Sequence, residues 1–314
     1  MRLRIAFLLL CFSMNVFSQD WPSKPIRWIV PFAPGGPADV VARIVAAGLA
    51  ERTGQPNVVE NQPGASGNIA HATVSKSAPD GYTLLFVVPA VITNPFYLKA
   101  SVDPFQDLAP VIHLDNASLV LVATPSFPPT TPAELLKYIK ENPGRVTCGS
   151  SGALPSVGCE LLRSHAGADL LMVNYKGNAP ALNAVMSGEI NLLFDVVNIA
   201  AGHVKSGRVR AIASTAPRRG GGPLGDVPVM AETIPGFELV TWHGVMIAPG
   251  TPPPLVERIN RELNAVLQQA DVRSRFTNSG LQVTGGTAQE FGAILKRDYD
   301  KYGAALRAAG VKPE

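Results

Sequence analysis

The sequence Ile-Arg-Trp-Ile-Val-Pro-Phe-Ala-Pro-Gly-Gly-Pro-Ala-Asp at residues 26–39 joins an apolar run to a turn rich in glycine and proline. The run Ile26–Val30 is predicted to be a strand that ends at Pro31. Apolar residues recur at helical spacing after the turn, with Asp39 predicted as the N-cap of the helix and Gly54 as its stop. A strand, a turn and a helix in this order are typical of an α/β fold.

The same order continues along the first third of the chain. Val58–Glu60 and Thr83–Val88 are predicted strands, with a helix predicted over Asn68–Ser77 between them. This βαβαβ order favours a parallel sheet. A second series begins at the predicted strand Leu119–Ala123, and the long apolar segment Val240–Ala248 precedes helices at the end of the chain. The pattern predicts two α/β lobes, with the chain returning to the first.

The first 18 residues have the features of a signal peptide. Arg2 and Arg4 precede an apolar run that extends from Ile5 to Phe12, and the small residue Ser18 closes the segment. A membrane anchor is the alternative, but the run is shorter than the ~20 residues that a spanning helix needs. We therefore expect cleavage near Ser18 and export to the periplasm.

Composition excludes several classes of protein. Hydrophobic residues make up 46% of the 314 residues and charged residues 16%, which excludes a disordered chain. The net charge is only +3, and no run of Lys and Arg is interleaved with aromatic residues, so no nucleic-acid partner is expected. The five histidines are scattered without the spacing of metal ligands, so neither a metal nor another cofactor is expected.

Two cysteines, Cys148 and Cys159, remain after the signal peptide is removed. An even number of cysteines in an exported protein is compatible with a disulfide. They are equally compatible with two small buried apolar residues, as free cysteines often are. Both interpretations stay open from the sequence.

Two glycine-rich turns between a strand and a helix are candidate binding loops. The first is 31–39 and the second is 149–156, one in each α/β series. Helix N-termini offer unpaired N–H groups and a partial positive charge, so such turns can bind anions. The first turn contains no Lys or Arg, which favours an anion held by amides. The alternative is that glycine and proline only make tight turns.

Neither loop matches a common nucleotide-binding or catalytic motif. GxxxxGK[ST] and GxGxxG are absent from the sequence, and the second turn does not supply G-x-S-x-G. A secreted hydrolase or lyase on a similar scaffold is the alternative to a binding protein, and a turnover assay would distinguish the two.

Motifs along the whole mature chain carry a resemblance to one family. The sequence resembles the substrate-binding receptors of tripartite tricarboxylate transporters, the Bug-type extracytoplasmic solute receptors. The motifs are Ile-Val-Pro-Phe-Ala-Pro-Gly-Gly at 29–36, Val-Glu-Asn-Gln-Pro-Gly-Ala-Ser-Gly at 59–67, Pro-Asp-Gly-Tyr-Thr-Leu-Leu at 79–85, Tyr-Lys-Gly at 175–177, Trp-His-Gly at 242–244 and Ala-Pro-Gly-Thr-Pro at 248–252.

The resemblance implies a two-lobed type II periplasmic binding protein fold, the Venus flytrap. Its lobes are expected to comprise residues 19–118 with 237–314, and residues 119–236. It implies a monomeric receptor without catalytic activity that captures a small mono- or dicarboxylate and delivers it to membrane permease subunits. A periplasmic sensor that passes the signal to a membrane kinase is an alternative within the same fold.

The resemblance also implies which residues contact the ligand. In the first lobe, loop amides hold one carboxylate and two further segments form the wall. In the second lobe, a Ser/Gly loop meets the ligand from the other side, and an acidic residue reads a second ligand group. The expected residues are Phe32, Ala33, Gly35, Gly36, Asp39, Ala65, Ser66, Val88 and Ala90 in the first lobe, and Ser150, Ser151, Gly152, Ala153, Ser156 and Asp195 in the second.

The sequence departs from the family pattern in the second loop. Ser156-Val157 stands where the helix of the family commonly begins with His-Leu, and the loop is about two residues shorter. Asn174 stands where Pro usually precedes Tyr-Lys-Gly. The first two changes fall in the part expected to read the far end of the ligand, so the resemblance does not identify the carboxylate.

Overall fold

The computed structural model describes residues 21–99, 101–175, 177–216, 218–219, 223–308 and 311–313. The predicted signal peptide at 1–18 lies outside the described residues. The strands, in chain order, are β1 Ile26–Val30, β2 Asn57–Asn61, β3 Thr83–Val87, β4 Ala109–Ala123, β5 Thr147–Ser150, β6 Leu171–Asn174, β7 Leu192–Val196, β8 Arg210–Ser214, β9 Val240–Ile247 and β10 Gln282–Val283.

Helices follow most of the strands, as the α/β pattern predicts. Short 3₁₀ turns at Ala65–Gly67, Asn94–Phe96 and Met230–Glu232 complete the secondary structure. The helices are α1 Pro37–Thr53, α2 Asn68–Ser75, α3 Ala90–Thr93, α4 Pro132–Glu141, α5 Ala153–Ala166, α6 Asn178–Ser187, α7 Val197–Lys205, α8 Pro253–Leu267, α9 Ala270–Asn278 and α10 Ala288–Ala308.

The strands form two groups that share β4. In the first group β1 is parallel to β2 and β3, and β9 lies antiparallel between β3 and β4. In the second group β5 is parallel to β6 and β7, while β7 and β8 are antiparallel to β4. Residues up to Ser118 of β4 pair with β9, and residues from Leu119 onwards pair with β7. The carboxyl ends of the parallel strands in both groups therefore point toward this change of partner.

The strand β4 is much longer than the predicted strand Leu119–Ala123. It begins at Ala109, and its first part contains His113, Asp115 and Asn116, which interrupt the apolar run. His113 and Asp115 are nevertheless buried, because β9 and the helices on both faces cover them. Polar side chains can lie in a buried strand when other elements supply their hydrogen-bond partners. The local sequence of β4 does not show that such partners exist.

The start of α1 also corrects a prediction. The helix begins at Pro37 with Gly36 as N-cap, so Asp39 lies inside the first turn and is not the N-cap. Pro is favoured at the first helical position because it lacks the N–H that would be unpaired there. The stop is confirmed, because Gly54 adopts the left-handed conformation at φ 68° and its amide bonds to Ala50 O.

Apolar side chains cover both faces of the sheet. One face of the first group is packed by a set that we call the Trp28 cluster. Its residues include Trp28, Val30, Val41, Val45, Phe86, Val245, Ile247, Leu263 and Phe276. A second core covers the opposite face and spans both strand groups. It includes Trp242, Phe291 and residues of α5 and α10. The second half of the chain is thus anchored to the first by α10.

Candidate functional site

Asp39 organises the first glycine-rich loop. Its Oδ2 accepts hydrogen bonds from the Gly35 amide and from Arg43 Nε, both at 2.9 Å. Its Oδ1 accepts from Asn61 Nδ2 at 2.8 Å, and the same amide donates to Phe32 O at 2.9 Å. Burial alone would raise the pKa of Asp39, but the bonds from Arg43, Gly35 and Asn61 lower it to about 2. All three partners of Asp39 belong to the protein, so this carboxylate holds the loop in shape.

The loop leaves backbone amides at the start of α1 for a ligand. Ala33 and Gly35 are exposed, and Gly36 is half-buried. Gly35 needs its φ of +80°, a conformation that favours glycine, and its amide is already bonded to Asp39. The first N–H groups of α1 have no intrahelical acceptor. The described loop therefore presents amides and a helix N-terminus, without a side-chain cation of its own.

A strained turn lies at the same edge of the first lobe. Ala65 and Ser66 have φ values of 46° and 53°, which non-glycine residues rarely adopt, and both are exposed. Asn94 Nδ2 donates to Ser66 O at 3.2 Å and supports the turn. Val88 and Ala90 follow β3 at this edge and are half-buried. Backbone strain of this kind concentrates at binding sites.

The second glycine-rich loop is held by its own serines. The hydroxyls of Ser150 and Ser156 are hydrogen-bonded to each other, and the one that accepts this bond can donate to Gly152 O, which is 3.2 Å from Ser150 Oγ and 3.0 Å from Ser156 Oγ. Both serines are buried, whereas Gly152 is exposed. Ser150 and Ser156 thus shape the loop, and Ala153 is the first residue of α5.

Asp195 lies at the carboxyl end of β7 with half of its carboxylate unpaired. Oδ1 accepts from the Val196 amide at 2.7 Å, whereas the buried Oδ2 has no hydrogen-bond partner among the described residues. Burial raises the pKa of Asp195, against the opposite influence of Val196, Asn178 and His203. Ser151 Oγ lies 3.5 Å from Asn178 Oδ1, so Ser151 and Asp195 both adjoin the start of α6.

Tyr97 lies between the strained turn and the serine loop. It follows the turn that contains Asn94, and its buried hydroxyl lies beside Ser156. Burial raises the pKa of Tyr97, and the Ser156 hydroxyl opposes that shift. The strained turn of the first lobe and the serine loop of the second therefore approach each other. The described residues show no hydrogen bond between the loop 33–36 and the loop 150–153.

Sequence reasoning did not assign roles to Asn61, Asn94, Tyr97 and Asn178. Asn61 ends β2, beside β1, and a parallel sheet brings the carboxyl ends of neighbouring strands to one edge. That rule could have found Asn61. The other three become neighbours of the site only through the packing of the lobes.

The structure joins Cys148 and Cys159 by a disulfide, with their Cα atoms 6.0 Å apart. The bond connects β5 to α5 and so brackets the serine loop at both ends.

A separate cavity of about 310 Å³ lies near the change of partner in β4. Ser118, Arg219 and Arg273 are among its lining residues, and none of the predicted ligand residues lines it. Arg219 is paired with Glu232. Among the described residues, no group of three His, Cys, Asp or Glu side chains could hold a metal ion. The same part of the chain contains no helix that is long and apolar enough to span a membrane.

The family model described as "Tripartite tricarboxylate transporter family receptor" matches residues 41–311. The chain belongs to this family. The resemblance seen in the sequence is thereby confirmed.

Solved structures agree with this assignment. Rpa4515 of R. palustris, solved with adipate, is 31% identical with a TM-score of 0.79, covering 94% of this chain and 100% of its own. The periplasmic binding protein BugD is 31% identical with a TM-score of 0.75, covering 94% and 100%. MatC from Rhodopseudomonas palustris, solved with malate, is 30% identical with a TM-score of 0.73, covering 91% and 99%. The receptor therefore has the two-lobed fold of periplasmic solute-binding proteins.

Proposed function

We propose that this receptor captures a small mono- or dicarboxylate between its two lobes and delivers it to the permease subunits of a tripartite transporter. The lobes are residues 19–118 with 237–314, and residues 119–236. The change of strand partner between Ser118 and Leu119 supports this division. The protein acts as a monomer, catalyses no reaction, and reaches the periplasm after cleavage near Ser18.

The first loop is the observation that carries the proposal. It presents exposed backbone at 33–35 and the N-terminus of a 17-residue helix, with Asp39 and Asn61 fixing its shape from behind. Amides and a helix N-terminus stabilise a carboxylate, and hydrogen bonds to a charged group contribute roughly 1.5–3 kcal/mol each. Structures of relatives with adipate and malate support this class of ligand.

The second lobe completes the site. The exposed Gly152 meets the ligand from the opposite side, and Asp195 lies at the same edge of the sheet with its unpaired Oδ2 sealed from solvent. A ligand shifts the equilibrium toward the closed form only if it binds that form more tightly. Contacts from both lobes supply this difference, because they exist together only when the lobes are closed.

Gly36→Val tests the proposal. Gly36 has an extended φ of −75°, and the nearest atom to an added Cβ is Ala33 O at 3.5 Å, so the turn can accept a side chain. The valine would obstruct the approach to the amides. We expect the variant to fold with a nearly unchanged melting temperature and to lose the stabilisation by ligand. For the native receptor, a carboxylate at ~100 times its Kd adds about 2.7 kcal/mol.

The melting temperature should be followed with C4–C6 mono- and dicarboxylates, and with 1,6-hexanediol as the uncharged control. Arg273→Ala, in the separate cavity, is the matched variant and should keep the full ligand shift. If the ligand still raised the melting temperature of Gly36→Val but not that of Arg273→Ala, the anion site would lie in the cavity. That result would refute the proposal. Turnover of the ligand would instead favour a hydrolase or lyase.

A further inference from the structure

A buried Asp–His pair connects the two strands at the centre of the molecule. Asp115 of β4 lies opposite His243 of β9 in the ladder, and His243 Nδ1 is 2.9 Å from both carboxylate oxygens. Asp115 is fully buried, and within the described chain His243 is the only side chain bonded to its carboxylate. Since an unpaired buried carboxylate is costly, this contact fixes a proton on Nδ1 and the orientation of the ring.

The ring of His243 lies near the carboxyl end of β3. Gly244 pairs with Val87, so His243 follows in register opposite Val88, which is one of the expected ligand residues. Its ring is 5.2 Å from that of Phe86 in the Trp28 cluster. Phe32 and Val88 pack against the same cluster from the first lobe, and Val196, next to Asp195, packs against it from the second. Residues from both sides of the candidate site therefore contact the cluster beside which the ring lies.

The other ring nitrogen of His243 is not fully enclosed by the protein. His71, His113 and His203 each have a ring nitrogen that is both sealed from solvent and unpartnered. His243 Nε2 also has no partner among the described residues, but it is not sealed in this way, and 10% of the side chain remains accessible. With Nδ1 held by Asp115, Nε2 is the ring nitrogen that remains available to a ligand.

We propose that His243 is a specificity-determining residue that donates Nε2–H to the second carboxylate of a dicarboxylate ligand, with Asp115 as its positioning residue. This inference rests on the proposed function, in which the loop after β1 holds the first carboxylate. β1 and β9 are separated by β3, so they lie about 9.5 Å apart at the usual strand spacing. The loop and the ring therefore contact different parts of one ligand.

The proposed contact needs an N–H on both ring nitrogens, which only an imidazolium has. Such a ring between Asp115 and a ligand carboxylate donates to both, and charge-assisted hydrogen bonds of this kind are the strong ones. Asp115 on β4 is the only titratable group among the described residues that contacts the ring, while β3 contributes the apolar Phe86.

Calorimetric titration with adipate and hexanoate tests the inference, because the two acids differ only in the second carboxylate. We expect the native receptor to bind adipate at least tenfold more tightly. His243→Gln should remove most of that preference and change hexanoate affinity less than twofold. The double variant His243→Gln/Asp115→Asn, which leaves no lone buried carboxylate, should behave alike if the single variant folds poorly. His165→Gln, at an exposed histidine, should keep the preference.

A second readout separates ligand contact from mere support of the fold. The ¹⁵N resonance of His243 Nε2 should shift when adipate is added and stay in place with hexanoate, because only adipate brings a second carboxylate to that nitrogen. Equal affinity for both acids in the native receptor, or an unchanged preference in His243→Gln, would overturn the role of His243 and leave the proposed function intact. Failure of every carboxylate to bind the native receptor would refute the proposed function, and this inference with it.

Discussion

At Asp39, donors from three directions converge on one carboxylate. The Gly35 amide, Arg43 and Asn61 hold it behind the loop, so the hydrogen-bonding capacity of this expected ligand residue is used within the protein. Asp195 shows the reverse, since it keeps a buried carboxylate oxygen without a partner among the described residues. Asp195 thus retains hydrogen-bonding capacity that Asp39 does not.

Asp39→Asn should lower stability in neutral solution equally with and without ligand. The folded pKa of Asp39, about 2, is below its usual value near 4, so the unfolded state binds the proton more readily. The stabilisation is present above about pH 4 and is lost as the pH falls toward 2. Urea denaturation across this range should show a flatter pH dependence for the variant. An unchanged acid profile would contradict the loop network.

His71 provides a test in a higher pH range. Its ring is buried beneath Gly67 and Pro31, and burial lowers its pKa to about 4. Because the unfolded histidine binds a proton near pH 6.5, this residue makes the native state less stable as the pH falls from 6.5 to 4. His71→Leu should reduce that loss, measured by chemical denaturation at several pH values. A variant with the same slope as the native protein would show that the ring is hydrated.

At the scale of elements, the features that could be predicted from the sequence are those that depend on a few neighbouring residues. The four-residue patterns Thr-Pro-Ala-Glu at 131–134 and Thr-Ala-Gln-Glu at 287–290 indicate capping boxes at helix starts, and both form with reciprocal side-chain and backbone bonds. The first part of β4 was missed because its polar residues are accommodated by β9, far away in sequence. The pair between Asp115 and His243 was missed for the same reason, since 128 residues separate the partners.

In the candidate site too, the local features could be predicted from the sequence and the features that depend on packing could not. The glycine-rich turn after β1 and the serine loop after β5 could be located from the sequence because each is a strand-to-helix connection. Whether a side chain in them faces a ligand could not be predicted. The bonds from Asn61 to Asp39 and from Ser150 to Ser156 depend on packing between elements.

The disulfide between β5 and α5 should stabilise the serine loop. The cysteines are 11 residues apart, and closing a loop of this size in the unfolded chain contributes about 2–4 kcal/mol. The variant Cys148→Ala/Cys159→Ala should unfold at a lower denaturant concentration. Thiol titration of the unfolded, unreduced mature protein should find no free thiol, and two free thiols would refute the bond.

At the scale of the whole molecule, the strand β4 and the helix α10 connect the lobes. β4 changes partner at Ser118, and α10 packs against α5 in the core that spans both strand groups. The two strand groups thus share a buried anchor on one face, while the loops that we assign to the ligand lie at the strand ends.

A crystal structure of the receptor grown with adipate would locate the ligand and its contacts. We expect one carboxylate of the ligand within about 3 Å of backbone N–H groups between Ala33 and the first turn of α1, with the second lobe in contact with the same molecule. A ligand carboxylate held by Arg219 or Arg273 in the separate cavity, or a ligand in contact with one lobe only, would contradict this expectation.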